Sequence, residues 1–127
     1  MNFRAGGKNI ASRGLEDAFV MELSPETGEV LWSDVFAASQ GNDRGQTICV
    51  DVQGSIFVGA GYEGTESVTP GEPKGPQRSL VVKYSDTRTK VWSKILPLPA
   101  AGVYRVLCDV GGGVVVASNR TLSKIAR

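Results

Sequence analysis

Two aspartates, Asp51 and Asp109, stand three residues before Gly54 and Gly112 in similar surroundings. Paired acids of this kind serve proton transfer, calcium binding or the capping of a turn's own amides. Asp-x-x-Gly between two apolar runs points to capping. The stretch Gly41-Asn-Asp-Arg-Gly45 offers oxygen ligands but falls far short of an EF-hand loop, so no metal site is expected. Gly59-Ala-Gly-Tyr-Glu-Gly64 fits the spacing of a dinucleotide fingerprint. The Thr65-Glu-Ser-Val-Thr-Pro-Gly-Glu-Pro that follows cannot open the phosphate-holding helix that such a fingerprint needs, so no cofactor is expected. Histidine is absent, which removes the usual general base and any Ser-His-Asp or Cys-His arrangement. No residue is assigned a catalytic role. Cys49 and Cys108 are too few for a disulfide framework. Strand alternation points them to opposite faces of their respective sheets, so they are expected unbonded and packed among apolar neighbours. Asn119-Arg-Thr121 is a glycosylation sequon, meaningful only in a secreted eukaryotic protein.

The elements that carry these residues belong to an ordinary folded chain. At 127 residues, 41% hydrophobic and 21% charged, the sequence has enough apolar material for one domain's core. A net charge of +1 with scattered basic residues gives no field for a phosphate backbone, so no nucleic-acid partner is expected. No apolar run is long enough to span a membrane, and Met1-Asn-Phe-Arg-Ala-Gly-Gly7 lacks the apolar core of a signal peptide, so none is expected in this stretch. The 16 glycines follow no fixed period and read as many tight turns.

Self-similarity is the strongest signal. Segments 17–60 and 78–117 share an order of parts: an alternating strand, a polar turn, a strand with Trp, a loop, a strand ending in Asp-Val, a Gly turn and an apolar strand. Phe19, Met21 and Leu23 correspond to Leu80, Val82 and Tyr84; Trp32 to Trp92; Asp51 to Asp109; Gly54 to Gly112. The repeat predicts strands near 18–24, 29–36, 46–52 and 55–58, then near 79–85, 90–96, 103–109 and 113–118. Asn2-Phe-Arg-Ala-Gly6 reads as the last strand of a preceding unit and Leu122-Ser-Lys-Ile125 as the first strand of a following one. Trp32, Trp92, Asp51, Asp109, Gly54 and Gly112 are assigned structural roles, the tryptophans packing in the core or between units.

Asp17-Ala-Phe-Val-Met-Glu-Leu, Leu31-Trp32, Gly41-Asn-Asp-Arg-Gly45 and Val50-Asp-Val-Gln-Gly-Ser-Ile-Phe-Val58 together resemble the bacterial β-propeller repeat (SBBP-type). Thr27-Gly-Glu-Val-Leu-Trp32 is also similar to the docking motif of quinoprotein-like propellers, in which the Trp packs across to the next blade. The second unit departs from it, with Arg88 where Gly28 stands and Pro97-Leu-Pro-Ala-Ala-Gly102 in place of the Gly-Asn-Asp loop. The resemblance implies an all-β fold of antiparallel four-stranded propeller blades, and a secreted or cell-surface location.

The expected organisation is a trailing strand and connector in 1–16, blade one in 17–60, an inter-blade loop in 61–78, blade two in 79–118 and a leading strand in 119–127. Two blades cannot close a ring. Either the chain is a segment of a larger protein, favoured because both ends fall within a unit, or copies self-associate. The long loop suggests a partner-binding rim of Tyr62, Glu63, Glu66, Glu72 and Lys74, for a protein or carbohydrate ligand, against the plainer reading of a solvated insertion. The function expected is a non-catalytic binding or scaffold module. The alternative is a fragment of a quinone-dependent or hydrolytic propeller enzyme whose active site lies in other blades.

Overall fold

The computed structural model describes residues 2–5, 8–11, 15–37, 41–64, 77–96, 105–117 and 122–125. Every regular element among them is a β-strand: β1 (Asn2–Ala5), β2 (Lys8–Ala11), β3 (Ala18–Leu23), β4 (Val30–Ala37), β5 (Arg44–Val50), β6 (Ile56–Tyr62), β7 (Arg78–Tyr84), β8 (Lys90–Leu96), β9 (Arg105–Cys108), β10 (Val114–Ala117) and β11 (Leu122–Ile125). All strand ladders are antiparallel. The strands expected from the repeat are all present, and β2 is added to them. No described helix is long and apolar enough to cross a membrane.

The strands form sheets β1-β2, β3-β4, β5-β6-β7-β8 and β11-β10-β9. The four-stranded sheet thus takes two strands from each sequence repeat, which corrects the expectation that each repeat folds as one sheet. A repeat's boundary in sequence is only a matter of phase, whereas ladder pairing follows apolar register. Here β6 pairs with β7 from Ile56↔Tyr84 to Tyr62↔Arg78. The connection after Tyr62 therefore joins neighbours of one sheet, not two sheets. A long hairpin connection costs little more than a short one, because closure entropy grows only logarithmically.

The repeats match in local geometry. In β3–β4 a bulge follows Glu22↔Trp32, and in β7–β8 the same bulge follows Lys83↔Trp92. Each leaves an extra residue, Leu31 or Val91, exposed on the bulge. The turns after β5 and β9 also agree, with Gly54 at φ 84° and Gly112 at φ 89°, a region that disfavours residues with a Cβ. Asp51 Oδ1 accepts from the Gln53 and Ser55 amides at 2.9 Å, and Asp109 Oδ1 accepts from the Gly111 amide at 3.3 Å. Both aspartates cap their own turns.

The three larger sheets stack face to face. Leu80, Val82 and Tyr84 of β7 and Ile56, Val58 and Ala60 of β6 meet Ala18, Val20 and Phe36 of the β3–β4 sheet. Phe57, Val81 and Leu96, on the opposite face, meet Val106, Val114 and Val116 of the β9–β11 sheet. β6 is consequently buried along its whole length, the pattern of a strand covered on both sides. Trp32 sits edge-on to Tyr84 across the first interface with ring centroids 5.0 Å apart. Trp92 lies on the second interface, 6.1 Å from Phe57 of its own sheet. Both tryptophans are half-buried packing groups.

Polar contacts fix how the sheets sit. The Tyr84 hydroxyl donates to Asp34 Oδ2 at 2.7 Å, and Lys90 Nζ lies 3.3 Å from that oxygen. Burial, reinforced by the Asp34 carboxylate, pushes the Tyr84 phenol well above its ordinary value. Arg88 occupies positive φ, at 66°, where the first repeat has Gly28 at 72°. From that position its guanidinium donates to both carboxylate oxygens of Glu22, at 2.6 and 2.7 Å, joining β3 to the neighbouring sheet.

Cys49 and Cys108 form a disulfide, with Cα atoms 5.8 Å apart, and this overturns the expectation that they remain unbonded. The premise was sound: Cys49 pairs with Phe57 on one face of its sheet, while Cys108 pairs with Val114 on the opposite face of the next. In a stack, opposite faces of successive sheets are the faces that meet.

Two outcomes are expected. The bond closes a 59-residue separation, so a Cys49→Ala/Cys108→Ala variant should lose about 4 kcal/mol on the chain-entropy model, measured by urea unfolding. The second concerns pH. The Arg88 hydrogen bonds hold Glu22 below the usual carboxylate range, and Lys124, with the Gly111 amide, does the same for Asp109. Carboxylates depressed in the folded state stabilise it above their unfolded pKa and lose that contribution as pH falls through the folded value. The thermal midpoint should therefore drop below about pH 4, and Glu22→Gln should flatten part of that drop.

Candidate functional site

Among the described residues, a polar cluster lies where the chain enters β3 and β5 and leaves β6. Gly41 O accepts from the Leu15 and Glu16 amides at 3.2 and 3.4 Å, and the Asp43 amide donates to Glu16 O at 2.8 Å. These bonds make a short parallel bridge between Glu16 and Asn42. From the other side, Glu63 Oε2 accepts from the Asn42 amide at 2.9 Å, and the Glu63 amide donates to Asp43 Oδ1 at 2.9 Å. Arg44 completes the clasp with a bidentate ion pair to Glu16. That pair holds Glu16 below its ordinary value through the Arg44 hydrogen bond.

Gly41 must be glycine for a packing reason. A Cβ there would stand 2.5 Å from both Cβ and Oε2 of Glu63. Asp43 is almost wholly buried, and a buried polar side chain of this kind needs donors such as the Glu63 amide. The Gly41–Gly45 loop, weighed in sequence as a weak calcium candidate, is thus a fastening between the β3–β4 and β5–β8 sheets. Among the described residues, no group of three or more His, Cys, Asp or Glu side chains is placed to hold a metal ion.

Beside the clasp opens a cavity of about 640 Å³, walled by Ala18, Phe19 and Met21 of β3 and by Gln46, Ile48 and Val58 across from them. Glu16, Asp43 and Arg44 lie at its polar end.

The partner-binding rim fares differently residue by residue. Tyr62 is fully buried in the first core and cannot belong to a rim, because it ends a strand covered on both faces. Glu63 is committed to the clasp. Glu66, Glu72 and Lys74 lie outside the described residues, as does the Asn119 sequon. Gly59–Tyr62 of the apparent nucleotide fingerprint are the last four residues of β6, where no helix begins. The role of Glu16 and the Glu63–Asn42 bond were not legible in sequence, since they depend on segments far apart in the chain. The clue available was the Gly-Asn-Asp sequence itself, which is costly to keep buried without partners.

No family model, curated protein or solved structure matches this chain.

One outcome tests the clasp. Asp43→Ala strips the Glu63 amide of its buried acceptor and should cost about 1–3 kcal/mol in urea unfolding. The Asn42, Glu63 and Arg44 resonances should shift with it, while those of the β9–β11 sheet stay in place.

Proposed function

We propose that this chain is a non-catalytic binding or scaffold module, a set of β-propeller blades in which the β3–β4, β5–β8 and β9–β11 sheets are successive blades. The observation that carries this reading is the contrast between equivalent residues of the two repeats. Leu80 and Tyr84 are 0% and 1% exposed beneath a neighbouring sheet, whereas their counterparts Phe19 and Leu23 are 45% and 48% exposed. The sequence of such a sheet suits it to be covered on both faces, and among the described residues no sheet is stacked on the outer face of the first. Propellers supply such covers by radial repetition. The partners are accordingly further blades of the same kind, in the same protein or in another copy of this chain, with the assembled surface free to hold a protein or carbohydrate ligand.

Fold alone does not assign a ligand. The roles found for the polar residues are nonetheless structural ones: Asp51 and Asp109 cap turns, Glu22 and Arg88 join sheets, and Asp43 and Glu63 form a clasp. The disulfide between adjacent sheets supports an oxidising compartment, in keeping with a secreted or surface-bound module.

Light scattering on the purified chain tests the reading. The chain should form a defined multimer, and Phe19→Glu/Leu23→Glu should return it to single chains with the β-sheet circular dichroism intact. A wild-type chain that stays monomeric at high concentration, with both residues tolerating Glu without effect, would refute the need for a covering sheet.

A further inference from the structure

The cavity beside β3 has the form of a missing pair of strands. Among the described residues the β3–β4 sheet has two strands and the edge of β3 away from β4 carries no ladder, and that edge makes one wall of the cavity. In the β5–β8 sheet the equivalent edge of β7 is filled by β6, which in turn pairs with β5. The opposite wall shows the same deficit. Ile48 of β5 is 54% exposed, whereas its repeat counterpart Val106 of β9 is 1% exposed. Val106 is covered by β5 of the preceding sheet, whose Thr47 Oγ1 accepts from the Val106 amide at 3.0 Å. Among the described residues no strand does the same for Ile48. A strand edge with no ladder among the described residues, next to an exposed apolar wall, is a site for an added strand.

The chain carries a matching piece. β1 and β2 form an antiparallel hairpin, Asn2↔Ala11 to Ala5↔Lys8, immediately before β3 and outside every other sheet. The sequence leading into β3, Gly14-Leu-Glu16, repeats the Gly61-Tyr-Glu63 at the end of β6. Moreover, Glu16 and Glu63 bind the same Asn42–Asp43 segment, one by its carbonyl oxygen and the other by its carboxylate and amide. We infer that the β1–β2 hairpin closes onto this slot, β2 pairing with β3 and β1 covering Ile48, so that β1-β2-β3-β4 becomes a sheet equivalent to β5-β6-β7-β8. The register follows from the repeat. Val58 lies three residues before Gly61 and pairs with Val82, so Ala11, three residues before Gly14, pairs with Met21. The cavity is then a strand seat, not a small-molecule pocket.

The inference rests on the repeat equivalence that also underlies the proposed function, but its test is separate. On the whole 127-residue chain, nuclear Overhauser effects should connect the backbone of Ala11 with that of Met21. The β3 amides directed away from β4 should exchange at least about a hundredfold more slowly than the turn amide of Val52. Ile10→Pro should abolish that protection while leaving the β6–β7 amides protected. Fast exchange at those β3 amides in the unmodified chain overturns the inference. So does an Overhauser contact from Met21 to any strand other than β2 and its established partner β4, including one from a second copy detected in a mixed-label sample. Whether the chain is monomer or multimer by light scattering does not create or remove the Ala11–Met21 contact.

Discussion

A sheet with apolar side chains on both faces cannot stand in water, and that constraint organises this molecule. Leu80, Val82 and Tyr84 alternate along β7 with Val81, so neither face of the central sheet is the polar one. Burying a large aliphatic or aromatic side chain is worth about 1.5–3 kcal/mol, and the central sheet does so on both sides. The two cores are separate clusters divided by one layer of backbone. Loss of either neighbouring sheet would expose a whole face at once, and this ties the stability of each sheet to the next.

Covalent and polar links follow from that stacking. Where β5 comes close to β9, opposite faces of successive sheets confront each other, and the disulfide joins them there. At the outer side of the first interface, Arg88 reaches Glu22, and Tyr84 reaches Asp34. Arg88 keeps a backbone conformation that costs a non-glycine residue about 1 kcal/mol or more. Its bidentate bond to a carboxylate of the adjacent sheet offsets that strain. The first repeat has no such partner to reach among the described residues and has Gly28 at the same place.

The clasp at Gly41–Arg44 follows a related logic at the end of the sheets. Two glutamates from different strand connections converge on one short loop, which fixes the entries to β3 and β5 together. Its charges are consumed within the fold: Asp43 on an amide, Glu63 on Asn42 and Glu16 on Arg44. A loop whose oxygens could in principle serve a ligand is instead the means by which two sheets keep their spacing.

The sequence by itself determined the strands other than β2, their turns and their equivalence. Alternation of apolar residues, Asp-x-x-Gly turns and the Trp-bearing strands are local properties, each set by neighbours within a few positions. Even the bulge beside each Trp and the positive φ at Gly28 and Arg88 recur at the positions that the alignment pairs. Tertiary structure decided which strands share a sheet, that Tyr62 is core, that Glu63 fastens a loop and that Cys49 meets Cys108. Those outcomes depend on which faces come together in space. A one-dimensional pattern records which side of a strand a residue occupies, but not which sheet is stacked on that side.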